Sequence, residues 1–415
     1  MINSLYLPGM SRYKVVTLGC RTNQYESEAL SGQLQKRGYC RASANEKVEV
    51  GIVNTCSVTQ SADRRSLYQI RKLEREHRPD TLIVTGCSAE KCKKVPAITH
   101  LIPNSKKEVL LPSVFPEVEW SEFHIERFGV HTRAYVKIQD GCNSFCRYCV
   151  IPFVRGPSRS RRIGDILDEV ALLVENGYKE VVLTGVNIGD FGRDHTPKVS
   201  VSKLIAYLEQ IEGLRRIRIS SINPNEVDDE MVEVFLSGKK ICHSLHLVLQ
   251  AGSDRILERM RRPYTKQDFL EITQKLRRGD EDFTFTTDVI VGFPGETERE
   301  FMETSDLIRE AGFAKVHIFP YSDRPKTGAS RMTYKVDKEV ICERKQRLHS
   351  VAEEVAFRLR NRYVGREFEI LLESRDRGYT RHFLPVSISD KGLRANEIVH
   401  VKCVKNSKEG LKGHL

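Results

Sequence analysis

Eleven cysteines occur in this chain of 415 residues, and three of them form one close cluster, Cys142-Asn-Ser-Phe-Cys146-Arg-Tyr-Cys149, a C-x3-C-x2-C spacing. Structural zinc closes with four ligands, commonly from paired C-x2-C knuckles, and no fourth Cys or His follows nearby. Three thiolates suit a 4Fe-4S cluster with one iron left open. A second trio is spread along the chain. Lys14-Val-Val-Thr-Leu-Gly-Cys20, Val48-Glu-Val-Gly-Ile-Val-Asn-Thr-Cys56 and Thr81-Leu-Ile-Val-Thr-Gly-Cys87 are apolar, β-branched runs that each end in cysteine. Amphipathic stretches at about 27–37 and 62–76 separate them, so the order reads strand, helix, strand, helix, strand. That is the pattern of a parallel sheet with crossover helices, whose loops at the carboxyl ends of the strands share one edge. Cysteines more than thirty residues apart would therefore meet in space.

The local cluster needs its own scaffold. From about Arg133 a second alternation begins, with strand candidates at 134–137, 181–186, 217–221, 245–249, 283–291 and 315–319. Helical patterns at about 164–177, 201–212, 227–238, 266–278 and 296–311 lie between them. Six β/α units fit a partial barrel whose chemistry gathers at the C-terminal ends of the strands, and the cysteine loop follows the first of these. A charged helix over 337–361 then leads into short apolar alternations with Gly, Asp and Ser breaks from Tyr363 to Val404, which read as a small β barrel. The fold class is α/β, with a sheet domain at 12–128, a partial barrel at 129–335, a linking helix at 336–362 and the small barrel at 363–405.

Length alone favours two or three domains over a single core. No apolar run reaches eighteen residues, which excludes a bilayer-spanning helix, and MINSLYLPGMSRYK lacks the features of a secretory signal. A reducing cytoplasm is expected, with the cysteines free of disulfides. The net charge of +11 is uneven, since residues 358–415 hold 13 basic and 7 acidic side chains. A second basic stretch, Gly141 to Gly164, carries Arg147, Arg155, Arg159, Arg161 and Arg162 with no acid among them. Clustering of this kind fits a polyanion such as RNA, and fits a solvated basic surface equally well.

The C-x3-C-x2-C cluster, with Tyr148 at its aromatic position, resembles the radical S-adenosylmethionine (SAM) signature, and six β/α units match that family's partial barrel. Adding the distributed trio narrows the resemblance. Thr17-Leu-Gly-Cys20 through Glu28, Asn54-Thr-Cys56 through Asp63, and Val84-Thr-Gly-Cys87 through Glu90 resemble the three cysteine blocks of the methylthiotransferases. Cys149 through Gly156, Leu183 through Gly189, Leu249 through Asp254 and Asp288 through Thr297 match further, so the likeness runs from about residue 12 to 404.

That resemblance implies two 4Fe-4S clusters. Cys142, Cys146 and Cys149 would hold the one whose open iron binds SAM, the source of a 5′-deoxyadenosyl radical. Cys20, Cys56 and Cys87 would hold an auxiliary cluster carrying the sulfur to be transferred. Cys40, Cys92, Cys242, Cys342 and Cys403 fall outside the motifs; Cys92 competes with Cys87, which is preferred because it ends a strand. Tyr148, Asn187 and Gln250 sit near strand ends and would touch SAM or satisfy loop backbone groups. Gly292-Phe-Pro-Gly-Glu-Thr297 reads as a strand-to-helix turn. The segment from Tyr363 resembles the RNA-binding TRAM barrel, although Arg381-His382 departs from the small or polar residues expected after Gly378-Tyr-Thr380.

Gln24-Tyr-Glu-Ser-Glu28, Ser57 through Asp63 and Arg155 through Arg161 most resemble the tRNA branch acting on N6-threonylcarbamoyladenosine at position 37, which yields the 2-methylthio derivative. One SAM would methylate the cluster-bound sulfur and a second would supply the radical that takes hydrogen from carbon 2 of the adenine. Partners would be tRNA and an electron donor of the flavodoxin or ferredoxin kind, with no membrane and a monomer or weak dimer. The branches modifying isopentenyladenosine or a ribosomal-protein aspartate, and a non-catalytic iron–sulfur RNA-binding protein, are the alternatives.

Overall fold

The computed structural model describes residues 11–129, 131–390 and 392–415. The chain forms two compact units: residues up to Gly129 together with Val150–Pro157, and Val130–Cys149 together with Ser158–Leu415.

The first unit is a parallel sheet of β1 (Arg12–Thr17), β2 (Cys40–Arg41), β3 (Val50–Thr55), β4 (Thr81–Gly86) and β5 (His100–Leu101), in the order β2-β1-β3-β4-β5. Helices α1 (Arg21–Lys36) and α2 (Gln60–His77) cross between strands, and α3 (Leu110–Val114) and α4 (Ile151–Arg155) complete the unit. Because side chains alternate along a strand, β3 buries Ile52 with Tyr13, Leu30 and Ile83 on one face and Val53 with Ile70, Leu73 and Val84 on the other. Thr59 caps α2 by accepting from the Ala62 amide at 3.1 Å, with Asp63 in the first turn and Arg75 and His77 in the last. α1 has no side-chain cap, because Cys20 stands at that position.

The second unit opens with β6 (Arg133–Lys137) and a short hairpin of β7 (Gln139–Asp140) and β8 (Arg159–Ser160) that flanks the cysteine loop. It continues through α5 (Ile163–Glu175), β9 (Glu180–Thr184), α6 (Val201–Leu208), β10 (Arg216–Ile219), α7 (Asp229–Ser237), β11 (Ser244–His246), α8 (Asp254–Met260), α9 (Lys266–Gly279), β12 (Thr284–Val291), α10 (Glu298–Ala311) and β13 (Lys315–Pro320). All six expected barrel strands are present, and their ladders are parallel within β10-β9-β6 and β11-β12-β13. α8 is the helix that hydrophobic periodicity missed, because seven residues are too few to establish a period. The Gly292–Thr297 turn leads into α10 through a reciprocal cap between Thr297 and Glu300, the architectural role expected of it. α11 (Lys338–Asn361) leads to the closed barrel of β14 (Glu367–Leu372), β15 (Arg377–Thr380), β16 (Pro385–Ile388), β17 (Ile398–Asn406) and β18 (Leu411–His414). The last strand lies beyond 405, the expected end, because closure needs β18 to pair with both β16 and β17.

This small barrel packs on the N-terminal ends of the partial-barrel strands. Arg216 donates to the Glu369 carboxylate at 2.8 Å and to the Tyr379 carbonyl at 3.0 Å, and Arg218 donates to Glu180 at 2.9 Å. The Tyr379 and Phe383 rings stack at 4.9 Å, with the Arg133 guanidinium 5.0 Å from the first and the Arg218 guanidinium 4.9 Å from the second. Burial would raise the Glu180 carboxyl, but Arg218, Arg133 and Arg216 outweigh it and hold it below its ordinary value.

Candidate functional site

In the first unit β1, β3 and β4 are neighbours, with Thr17 opposite Asn54 and Asn54 opposite Thr85. Cys20, Cys56 and Cys87 therefore leave the same edge within three residues of the last paired positions. Glycine precedes two of them for steric reasons. Gly19 has φ +96°, and a Cβ there would lie 2.8 Å from the Cys56 Sγ; Gly86 has φ +95°, and a Cβ there would strike the Thr55 carbonyl at 2.4 Å. Asn23 ties the first loop to the second by donating to Leu18 O at 2.7 Å and Thr55 O at 3.0 Å. Asp63 ties the second to the third, accepting from the Ser57 and Ser88 hydroxyls at 2.8 Å each and from Lys91 at 2.8 Å.

Burial pushes the Cys56 thiol up to about 11 and raises Cys87 as well, while Arg155 opposes both shifts and Lys107 opposes the second. Arg155 and Lys107 are themselves buried, both bound to the buried Glu26 carboxylate, and Arg155 also donates to Asn23. Two cations against one carboxylate leave a net positive surrounding. A dicationic 4Fe-4S core bound by three thiolates carries one negative charge, so the surroundings fit that group. Cys92 points elsewhere, into the apolar core beside Ile70 and Leu82, where its Sγ lies 3.3 Å from the Ser88 carbonyl.

Arg155 corrects the reading of Gly141–Gly164 as one basic face. It is fully buried beside Glu26; Arg159 pairs with Asp140 at 2.8 Å, and Arg161 pairs with Glu169 while donating to the Lys137 carbonyl at 2.9 Å. Glu26 lies 129 positions from Arg155, and Asp140 and Glu169 stand just outside the stretch, so a charge count within it could not see them.

In the second unit Cys142, Cys146 and Cys149 follow β7 on one tight loop, with the Cys149 amide donating to Cys146 O at 2.9 Å and the Ser144 amide directed at the Cys142 Sγ at 3.4 Å. The Arg147 amide donates to Met260 O at 3.0 Å and its carbonyl accepts from Ala329 at 2.7 Å, which pins the loop from two sides. Arg262 comes from the turn after α8. Its Nη1 lies 3.5 Å from the Cys146 Sγ, and its guanidinium is 5.9 Å from the Tyr148 ring and 5.3 Å from the Tyr264 ring. Burial raises the Cys142 thiol and takes Tyr148 well above the ordinary phenol range, with Arg262 opposing the Tyr148 shift.

The three expected SAM contacts differ in kind. Tyr148 is half-buried among Met260, Phe293 and Ala329. Asn187 is occupied, donating to Glu226 at 2.9 Å and accepting from Asn223 at 3.0 Å. Gln250 has φ +68°, and its buried Oε1 has no hydrogen-bond partner. Gln139 binds the loops around the cluster by accepting from the Val186 and Asn187 amides and donating to the Gly141 carbonyl. An open cavity of about 490 Å³ borders the cysteine loop, lined by Asn143, Ser144, Asn223, Glu226 and Arg262. Burial raises the Glu226 carboxyl there. A cavity of this size with a few convergent polar groups fits a nucleoside-sized ligand such as SAM. Sequence reasoning missed Arg262, Glu226, Gln139 and Lys107 because none lies in a cysteine block.

The sequence model described as Radical SAM superfamily matches residues 136–308, and that of Uncharacterized protein family UPF0004 matches 12–104. Threonylcarbamoyladenosine tRNA methylthiotransferase MtaB of Chlamydia pneumoniae is 40% identical over 414 residues, covering 97% of this chain and 98% of that protein. MtaB of Bacillus subtilis (strain 168) is 36% identical, covering 94% and 93%. The tRNA-2-methylthio-N(6)-dimethylallyladenosine synthase of Caldicellulosiruptor saccharolyticus is also 36% identical, covering 94% and 87%. Among solved structures, the radical SAM methyltransferase TsrM of Kitasatospora setae with cobalamin and a [4Fe-4S] cluster shares the fold, with a TM-score of 0.55 at 12% identity over 77% of each chain. With whole-length relatives of this kind and a cysteine trio in each unit, the chain belongs to the radical SAM methylthiotransferase family, enzymes that use SAM and two 4Fe-4S clusters.

Proposed function

We propose that this enzyme converts N6-threonylcarbamoyladenosine at position 37 of tRNA to its 2-methylthio derivative. The observation that carries the reading is the end-to-end similarity to the MtaB proteins, one of which is 40% identical over 414 residues. When bound, SAM and the cluster of the local trio supply the one-electron chemistry that opens the adenine carbon–hydrogen bond, and the cluster of the distributed trio carries the sulfur.

The chain's own residues have separate tasks in this reading. Cys142, Cys146 and Cys149 hold the first cluster and leave one iron position open, with Arg262 placing positive charge beside Cys146. Gln250 offers its unpartnered oxygen to SAM, Tyr148 packs at the cluster loop, and Asn187 shapes the cavity through Asn223 and Glu226. Cys20, Cys56 and Cys87 hold the auxiliary cluster, and the buried Arg155 and Lys107 balance its charge. The small barrel closes the base of the partial barrel and offers its outer basic side chains to tRNA. A low-potential donor of the flavodoxin or ferredoxin kind supplies electrons. Among the described residues no helix is long and apolar enough to cross a membrane.

Mass spectrometry of tRNA nucleosides tests the reading. The methylthio-threonylcarbamoyl nucleoside is expected to vanish when the gene is deleted and to return with the wild-type chain, not with Cys142→Ala. Loss of the methylthio-dimethylallyl nucleoside instead would move the enzyme to the other tRNA branch.

A further inference from the structure

The Arg381-His382 departure from the TRAM pattern places a histidine against the base of the partial barrel. There His243, just before β11, and Asp280, just after α9, meet His382 from the turn between β15 and β16. The three offer ligand atoms that all lie within 4.8 Å of one another. His243 Nδ1 is 2.6 Å from the Asp280 Oδ2, and His382 Nε2 is 3.7 Å from the same oxygen, too long for a hydrogen bond. The other nitrogen of His382, Nδ1, is buried with no hydrogen-bond partner.

From this arrangement we propose that His243, Asp280 and His382 form a structural site for one divalent cation of the zinc type, which fastens the small barrel to the partial barrel. Ligands about 2.0–2.1 Å from a tetrahedral zinc stand roughly 3.3 Å apart, and the observed 2.6 and 3.7 Å straddle that spacing. The two imidazole rings are nearly perpendicular, at 85° and 6.0 Å, so their lone pairs can converge from different directions. Neighbouring groups orient the ligands. The Asp282 amide donates to Asp280 Oδ1 at 2.9 Å and so leaves Oδ2 for the ion, the His243 ring stacks on Phe283, and Tyr363 and Phe368 lie against His382. Two nitrogens and one oxygen leave a fourth position for water, and none of the ligands belongs to either cysteine trio.

The test uses holoenzyme with both clusters loaded, freed of adventitious metal and titrated anaerobically with Zn²⁺ against a chromophoric chelator. One zinc per chain is expected, with affinity falling at least about tenfold in His382→Gln and in His243→Gln while iron and sulfide stay constant. Unchanged affinity in both variants overturns the site, as does no binding at micromolar zinc. Should the variants lose iron by misfolding, wild-type crystals decide: an anomalous peak among the three side chains that is present above the zinc edge and absent below it supports the site, and no such peak in zinc-soaked crystals overturns it.

Discussion

The two cysteine trios, each proposed to hold a 4Fe-4S cluster, are built in opposite ways. Cys142, Cys146 and Cys149 lie within eight residues on one loop, with the Arg262 guanidinium beside Cys146 and packing from α8 and the residues near Ala329. Cys20, Cys56 and Cys87 come from three strand ends and depend on a network of Asn23, Asp63, Thr55 and Ser66 to hold their loops together. Their compensating charges, Arg155, Lys107 and Glu26, are fully buried, which makes that pocket part of the unit's core. A local site can be perturbed with the fold intact, whereas a distributed site shares its fate with the sheet.

The largest effect that tests this contrast is on SAM cleavage. Changing Cys142, Cys146 and Cys149 together to Ala is expected to abolish reductive cleavage and to leave about half of the roughly eight iron atoms of two cubane clusters. Changing Cys20, Cys56 and Cys87 should remove methylthiolation and the other half of the iron while cleavage persists. Iron analysis and 5′-deoxyadenosine assays on the same preparations check both, and equal loss of cleavage in the two variants would break the separation.

Removing residues 363–415 comes next. With Glu369, Tyr379 and Phe383 gone, Arg216, Arg218 and Arg133 lose partners at the base of the partial barrel, so lower solubility and less iron at the local trio are expected, with the auxiliary cluster spared. Salt-dependent tRNA binding measured on soluble truncated protein separates an RNA role from this structural one, since each phosphate contact contributes about 0.9 to the log–log slope on a duplex.

Arg155 and Arg262, one near each trio, give a smaller and sharper comparison. Arg155→Met removes one of the cations answering Glu26 and should cost about 3–5 kcal/mol, with loss of the auxiliary cluster. Arg262→Met should leave the fold and both clusters but change the spectrum and potential of the local one. Denaturant melts and electron paramagnetic resonance distinguish these outcomes. Smallest of all, Cys92→Ala should cost only about 1 kcal/mol and leave both iron content and turnover unchanged. An iron loss in Cys92→Ala matching that of Cys87→Ala would show that the strand-end argument chose the wrong thiol.

Much of this was legible in residue order. The strands ending in Cys20, Cys56 and Cys87 announce themselves by β-branched runs, the six barrel strands by alternation, and the local trio by spacing, because each pattern lies within a few residues of itself. α8 escaped because it is short, and the final strand of the small barrel because Leu411–His414 has too little apolar alternation to show without its partners.

What the sequence determined by itself was therefore the set of elements, the candidate ligands and the likeness to a family. The tertiary structure decided which charges meet. Arg155 stands in a run of basic residues and belongs to a buried pocket with Glu26, 129 positions away; His382, a departure in a short turn, meets His243 and Asp280 across two barrels. Electrostatic partners act over a few ångströms of space irrespective of sequence separation, so charge counted along a chain cannot say whether an arginine faces solvent or a buried carboxylate.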